Sequence, residues 1–225
     1  MPASSMHRAS SSDHWDRIYQ DRPAQRVSWY QEHARQSLEL IHATGAATQA
    51  AIIDVGAGAS TLVDDLLAEG YSRLTALDLS AAALTVAQAR LGTRAREVSW
   101  ISADVTRVAF TPQAWDIWHD RAVFHFLTQA EDRQRYLRNL SLSIKPAGHV
   151  IVATFALDGP EQCSGLPVAR YSAETLQAEF GPAFTLLRQA REAHRTPSGA
   201  VQPFTYCLFR HATNAGTGSA TGSTP

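Results

Sequence analysis

The sequence predicts a doubly wound α/β domain. A mostly parallel sheet of seven strands carries helices on both faces, ends in an antiparallel hairpin, and is preceded by a helical lid. Three observations carry this expectation. Strand-sized apolar runs alternate with helix-sized periodic runs from residue 51 to residue 155. The last two strand-like runs have no helix between them, so they read as a hairpin with one antiparallel strand. Two helical stretches, 13–20 and 30–41, come before the first strand.

The elements follow in order. Residues 51–55 (AIIDV) form an apolar run ending at a glycine-rich turn, as a buried parallel strand does. Ser60 is placed to cap a helix over 61–69, in which Leu62/Leu66 and Val63/Leu67 are i,i+4 pairs. Asp64 and Asp65 suit its early turns, and Gly70 suits its C′ position. Residues 73–78 (RLTALD) are a second strand, after which Ser80 caps a helix through Arg90 with Gly92 beyond. Third and fourth strands fall at 98–103 and 115–119. Thr128 with Glu131 reads as a capping box opening the helix that carries Tyr136, Leu137 and Leu140. The turn at Lys145–Gly148 leads into a fifth strand, 149–155. Residues 173–180 are helical, and the last two strands lie near 183–189 and 203–210.

Bulk properties narrow the function class. With 225 residues, 44% of them hydrophobic, the chain suits one domain with a sizeable core. The formal net charge is −1, with no run of Lys and Arg that would favour nucleic acid. No apolar run approaches a membrane span, which needs about 18 residues, and MPASSMHRASSS lacks the apolar core of a secretory signal. Cys163 and Cys207 have neither C-x-x-C spacing nor metal-ligand neighbours, so no metal site and a cytoplasmic location are expected. Residues 1–12 and 212–225 are small and polar and read as disordered, leaving 13–211 as the domain.

In folds of this kind ligands bind beyond the carboxyl ends of the strands, near the switch in strand order. Asp54–Thr61, Asp78, Asp104 and Asp120–His125 each follow a strand. Gly56 and Gly58 allow a tight turn and close approach of a ligand, and the following helix offers backbone N–H groups to a carboxylate. Asp54 could hold an ammonium, directly or through water; the plain alternative is a strand–helix turn that merely needs glycine. Asp78 lies 20 residues after Gly58, the spacing of an acid that accepts two ribose hydroxyls. It could also simply place a negative charge before a helix. The dinucleotide pattern G-x-G-x-x-G fails, because its third glycine is Thr61. In Ala103-Asp104-Val105 the carboxylate could accept an adenine amino group, with neighbouring backbone N–H groups serving the ring.

With these motifs the chain resembles the class I methyltransferases that depend on S-adenosylmethionine (SAM), which have a Rossmann-like fold. DVGAGAS stands where that superfamily has its D-x-G-x-G loop, ALD where it has the ribose acid, and ISADV where it has the adenine acid. KPAGHVIV is similar to the turn and strand after its fifth helix, and Ser60 replaces a third glycine present in many members. The resemblance covers about residues 13–211. It implies SAM as cofactor, with Asp54, Gly56, Gly58, Ser60, Thr61, Asp78, Leu79, Ala103, Asp104, Val105 and Asp120 around it.

HDRAVFHFLTQAEDRQRYLR, with Gly165-Leu166-Pro167-Val168 further on, resembles the thiol and thiopurine S-methyltransferase branch. HWDRIYQ…VSWYQ resembles that branch's aromatic lid, and makes Trp15, Tyr19 and Trp29 candidates for covering a sulfonium. The same aromatic residues would otherwise serve only to bury the second helix. The opening and the glycine loop are also similar to methyltransferases acting on lysines of translation factors, but those carry D-K-G or E-K-G where this chain has Asp120-Arg121-Ala122.

The expected reaction is methyl transfer to a small soft nucleophile, a thiol or sulfide, with no nucleic-acid or membrane partner. A thiolate needs little general-base help. Asp120, Arg121 and His125 are the expected catalytic groups: Arg121 to favour an anionic acceptor, His125 to take a proton near neutrality. Against this, Arg121 could only pair with Asp120, and His125 could be a core histidine. Cys163, in a loop of turn formers, is expected to line the acceptor mouth without catalysis, and Cys207 to lie in the core. A lysine N-methyltransferase and a non-catalytic SAM-binding protein are the competing readings.

Overall fold

The computed structural model describes residues 12–213. The stretches 1–12 and 212–225 therefore lie largely outside the described residues; Ser12 opens the first helix. The strands are β1 (Ala51–Val55), β2 (Arg73–Asp78), β3 (Val98–Ser102), β4 (Trp115–Arg121), β5 (Ile144–Phe155), the two-residue β6 (Gln162–Cys163) and β7 (Leu166–Pro167), β8 (Phe184–Arg195) and β9 (Val201–His211). The helices are α1 (Ser12–Asp21), α2 (Arg35–Ala43), α3 (Leu62–Ala68), α4 (Ala81–Leu91), α5 (Ala130–Ser143) and α6 (Ala173–Phe180).

Seven strands form one sheet in the order β3-β2-β1-β4-β5-β9-β8. β9 runs antiparallel to both neighbours, and every other pairing is parallel. The expected doubly wound sheet with a C-terminal hairpin is the observed one. The order reverses between β1 and β4, which puts the switch point at Asp54–Gly58 and Arg121.

Neighbouring strand residues face opposite ways, so each interior strand feeds two cores. Ile52, Ile117, Ile151, Tyr206 and Leu208 pack with Leu40 and Ile41 of α2 and Leu62 and Leu66 of α3. Ile53, Trp118, Val150, Val152, Cys207 and Phe209 pack with Tyr136 and Leu140 of α5 and Leu176 and Phe180 of α6. Fully burying a side chain such as Leu40 or Leu140 contributes about 1.5–3 kcal/mol. This two-sided demand is why β1 and the Val150–Phe155 half of β5 are almost wholly apolar.

The ends of elements depart from expectation for local reasons. Ser80 caps α4 by accepting from Ala83 N–H, as its position suggests. Ser60 Oγ accepts from Leu62 N–H, one residue ahead of the α3 cap position at Thr61. The capping box at Thr128 and Glu131 does not form. Gln129 is still extended, so α5 starts one residue later and its cap has no side-chain bond. Helix α2 starts at Arg35 rather than near 30, because side chains from the sheet and α3 hold residues 28–34 out of helical form. β5 begins at Ile144, with Ala147 at φ 60° where the turn was expected. β8 and β9 are longer than the sequence suggests.

Candidate active site

Two cavities lie beyond the carboxyl ends of the central strands, beneath α1 and the segment after it. The larger holds about 490 Å³, in the range of small-molecule sites. On its β2–β3 side Asp78, Leu79, Ala103, Asp104 and Val105 form the wall. On its β4–β5–β9 side the wall is Arg121, Phe126, Phe155, Cys163, Leu166 and Phe204. Trp15, Tyr19 and Trp29 line it from the N-terminal arm. The smaller cavity, about 40 Å³, is lined by Asp54, Ser60, Thr61, Ser37 and His119. Gly56, Tyr19, Trp29 and Arg121 line both.

The glycine loop needs its glycines. Gly56 has φ 69°, and a Cβ there would overlap Val123 Cγ2. Gly58 has φ 50°, and a Cβ there would stand 2.6 Å from Tyr19 Oη. The Gly58 N–H points at Asp78, donating to Oδ2 at 2.8 Å, while Ser80 N–H donates to Oδ1 at 2.7 Å. Burial nevertheless pushes the Asp78 carboxyl up to about 6, the two donors opposing the shift. Asp104 accepts from Thr106 N–H and Oγ and lies 3.4 Å from Arg107 Nε. Asp54 is 5% exposed; Oδ1 meets His119 Nδ1 at 2.7 Å, and Oδ2 is buried with no partner among the described residues. Thr61 Oγ1 donates to the Gln31 carbonyl, tying the arm to α3.

The aromatic arm is a packed unit. Trp29 Nε1 donates to Tyr19 Oη at 3.1 Å, and Trp15 sits edge-on to both Trp29 and Phe126. Burial, then the nearby Asp78 charge, raise the Tyr19 hydroxyl well above its ordinary range, so it stays protonated.

The three expected catalytic side chains do not converge. Consecutive residues of β4 face opposite sides of the sheet, so Asp120 and Arg121 cannot share a site. Asp120 is fully buried and faces α5, where it accepts from Tyr136 Oη, Val123 N–H and Phe124 N–H. Burial pushes it up to about 6. It is absent from the walls of both cavities. His125 is also fully buried and outside both walls, packed between Phe126 and Phe155. Its Nδ1 accepts from Phe155 N–H, and burial, with the Arg121 charge, drops it to about 3. The expectation that Asp120 and His125 sit beside the transferred methyl is therefore corrected.

Arg121 does reach the cavity, but its guanidinium is committed. Nε donates to Tyr206 Oη at 2.8 Å, Nη1 to the Trp29 carbonyl at 3.2 Å, and Nη2 lies 3.5 Å from Glu192. It also stacks over Phe204 at 4.4 Å. It pairs with Glu192, not with Asp120.

These residues fit a nucleoside that carries an amino-acid end. Two carboxylates stand on one wall of a cavity of suitable size, and the bare Asp54 Oδ2 is an acceptor that an ammonium would satisfy. Residues 52–148 match the family described as a methyltransferase domain. Over this stretch the chain is similar to a methyltransferase domain, and the cavity suits S-adenosylmethionine as its cofactor. The fold is shared with a structure described by the conversion of a disulfide bond into a thioacetal group during echinomycin biosynthesis. The TM-score is 0.72 at 19% identity, over 91% of this chain and 94% of that one. The 1,6-didemethyltoxoflavin-N1-methyltransferase of Burkholderia thailandensis, solved with S-adenosylhomocysteine, gives 0.66 at 18% identity, over 94% and 92%. Among curated proteins, the eEF1A lysine and N-terminal methyltransferase of Danio rerio is 24% identical over 150 residues, 65% of this chain. Its Mus musculus counterpart is 22% identical over 141 residues, 63% of this chain. The chain spans about a fifth of the length of these relatives: 21% and 20%.

Several residues around the site left no sequence motif. Phe204, Tyr206 and Glu192 come from the terminal hairpin, far along the chain from every motif. His119 did leave a signal. A histidine inside the alternation Ile117-Trp118-His119-Asp120 of a central strand must be buried, and a buried imidazole needs partners.

Proposed function

We propose that this protein is a methyltransferase that transfers a methyl group from SAM to a small soft nucleophile, a thiol or sulfide, inside the cell. When bound, SAM supplies a methyl already activated on a sulfonium, so the protein's task is alignment and exclusion of water. In this reading Asp78 holds the ribose, Asp104 with Ala103 and Val105 the adenine, and Gly56, Gly58, Ser60 and Thr61 the amino-acid end near Asp54. Trp15, Tyr19 and Trp29 cover the reacting centre, within a domain of residues 13–211.

One observation carries the choice of acceptor. The β5–β9 side of the large cavity is walled by Phe126, Phe155, Leu166, Phe204 and Cys163 with the uncharged amide of Gln202, and its one charged side chain, Arg121, is already fully engaged. Among the described residues on that side no free base stands ready to remove a proton. A thiol titrates near 8.5 unaided and so suits such a wall. The Cys163 thiol is itself pushed up to about 11 by burial, which keeps it an inert lining group. The cysteines Cys163 and Cys207 are both unpaired, which supports a reducing compartment. Among the described residues no helix is long and apolar enough to cross a membrane.

The likeness to the eEF1A methyltransferases favours a second reading, methylation of a protein lysine. The two separate with labelled SAM and a panel of thiols, sulfide, small amines and cell-extract protein. Label in methylated thiol or volatile sulfide is expected. Label in protein alone would establish the second reading, and binding without any turnover would point to a non-catalytic SAM-binding protein.

A further inference from the structure

Asp54, His119 and Ser37 form a buried chain of hydrogen bonds across three elements, β1, β4 and α2. His119 Nδ1 lies 2.7 Å from Asp54 Oδ1, and His119 Nε2 lies 2.8 Å from Ser37 Oγ. The three residues are 5%, 2% and 0% exposed. Their polarity follows from which atoms can donate. A carboxylate only accepts, so Nδ1 carries the proton toward Asp54, and Nε2 pairs with the Ser37 hydroxyl, which can either donate or accept. The order resembles a hydrolytic triad, but Ser37 has no exposed surface for an acyl group to reach.

What the chain does accomplish is to commit one oxygen of Asp54 and leave the other bare. Oδ2 is buried and has no partner among the described residues. A buried carboxylate oxygen without a donor is costly, and proteins retain such groups where a ligand completes them. Asp54 and His119 both line the small cavity, beside Gly56, Ser60 and Thr61.

We propose that His119 is a positioning residue for cofactor recognition. With Ser37 it clamps Asp54 through Oδ1, so that Oδ2 alone is presented at the small cavity to receive the ammonium of the cofactor's amino-acid end. The clamp orients the carboxylate through Oδ1 and leaves Oδ2 without a partner among the described residues. The inference rests on the SAM reading, which the same experiment checks separately.

The test is calorimetry on the full chain with S-adenosylhomocysteine and with 5′-methylthioadenosine. Both carry the nucleoside and a thioether sulfur, but only the first carries the amino-acid end. In His119→Phe the homocysteine ligand should bind about tenfold more weakly, the scale of a disturbed charge-assisted hydrogen bond, while methylthioadenosine affinity holds. His119→Asn, which keeps a donor near the Nδ1 position, should recover most of the loss. Ser37→Ala, a smaller change to the core, should shift the ratio of the two affinities in the same direction. Equal weakening of both ligands, or an unchanged ratio in all three variants, overturns the role of His119. Failure of the unaltered protein to bind either ligand instead overturns the SAM reading.

Discussion

The Ser80 hydroxyl donates to Asp16 Oδ1, joining the N-terminal arm to the turn that carries the candidate ribose acid. The same Asp16 oxygen accepts from Ala82 N–H, so α1 supplies an extra cap to α4. Ser80 in turn donates its backbone N–H to Asp78. The N-terminal arm and the Asp78 carboxylate are thus both hydrogen-bonded to one residue, Ser80.

Asp16→Ala removes two hydrogen bonds at a helix start, a loss of about 1 kcal/mol. If closure of α1 stabilises bound cofactor, S-adenosylhomocysteine should dissociate about fivefold faster, read by stopped-flow Trp fluorescence. An unchanged dissociation rate would show that α1 is not part of the site.

Asp78 should make cofactor affinity pH-dependent. Its carboxyl is raised to about 6, and only the ionised form accepts both ribose hydroxyls. Affinity should rise as pH passes upward through 6, and Asp78→Asn should flatten that profile while weakening binding. The stability of the unliganded protein has the opposite slope. Between the ordinary carboxylate range and 6, the folded state binds more protons than the unfolded chain, so stability falls as pH rises through that window. Asp120, also raised to about 6, contributes in the same sense. Calorimetric titrations and denaturant melts from pH 4 to 8 check both slopes.

His125 should leave the pH–rate profile untouched. With its titration lowered to about 3, it stays neutral throughout the working range. His125→Gln should lower activity, if at all, by the same factor at every pH. As a buried neutral base, His125 contributes stability above its unfolded value that is lost as pH falls below it, so acid unfolding is the place to see its effect. A rate deficit confined to pH values below the acceptor's own would restore His125 as the proton-moving group.

Tyr136→Phe should cost about 1.5–3 kcal/mol of stability, because the Tyr136 hydroxyl both accepts from Trp118 Nε1 and donates to Asp120. The denaturant midpoint should drop with the m-value unchanged. A midpoint within error of the parent would show that water replaces the hydroxyl.

The sheet was legible because its signals are local. Apolar runs, Ser80 and Gly70 mark strands and helix ends within a few residues of one another. The carboxylates Asp54, Asp78 and Asp104 were legible because each ends or follows a parallel strand, and the sheet order brings those ends together. Asp120 and His125 were misplaced because proximity in sequence was read as proximity at the site. Strand alternation sends Asp120 to α5, and the turn after it sends His125 into the core. The Arg121 partners could not be read at all, since Glu192 and Tyr206 depend on the register between β8 and β9, where Ala190 and not Glu192 is opposite Tyr206. Likewise nothing local announces that Asp65 and Thr61 hold residues 31–34 out of helix.

The central claim is methyl transfer to a thiol whose proton the protein does not remove, and a pH–rate series with several thiols of different acidity tests it most directly. The expected result is a rate that follows each thiol's own ionised fraction, with a midpoint that moves from thiol to thiol. One midpoint common to all of them would reveal a base in the protein. Label reaching only protein lysines, with every thiol inert, would contradict the account outright.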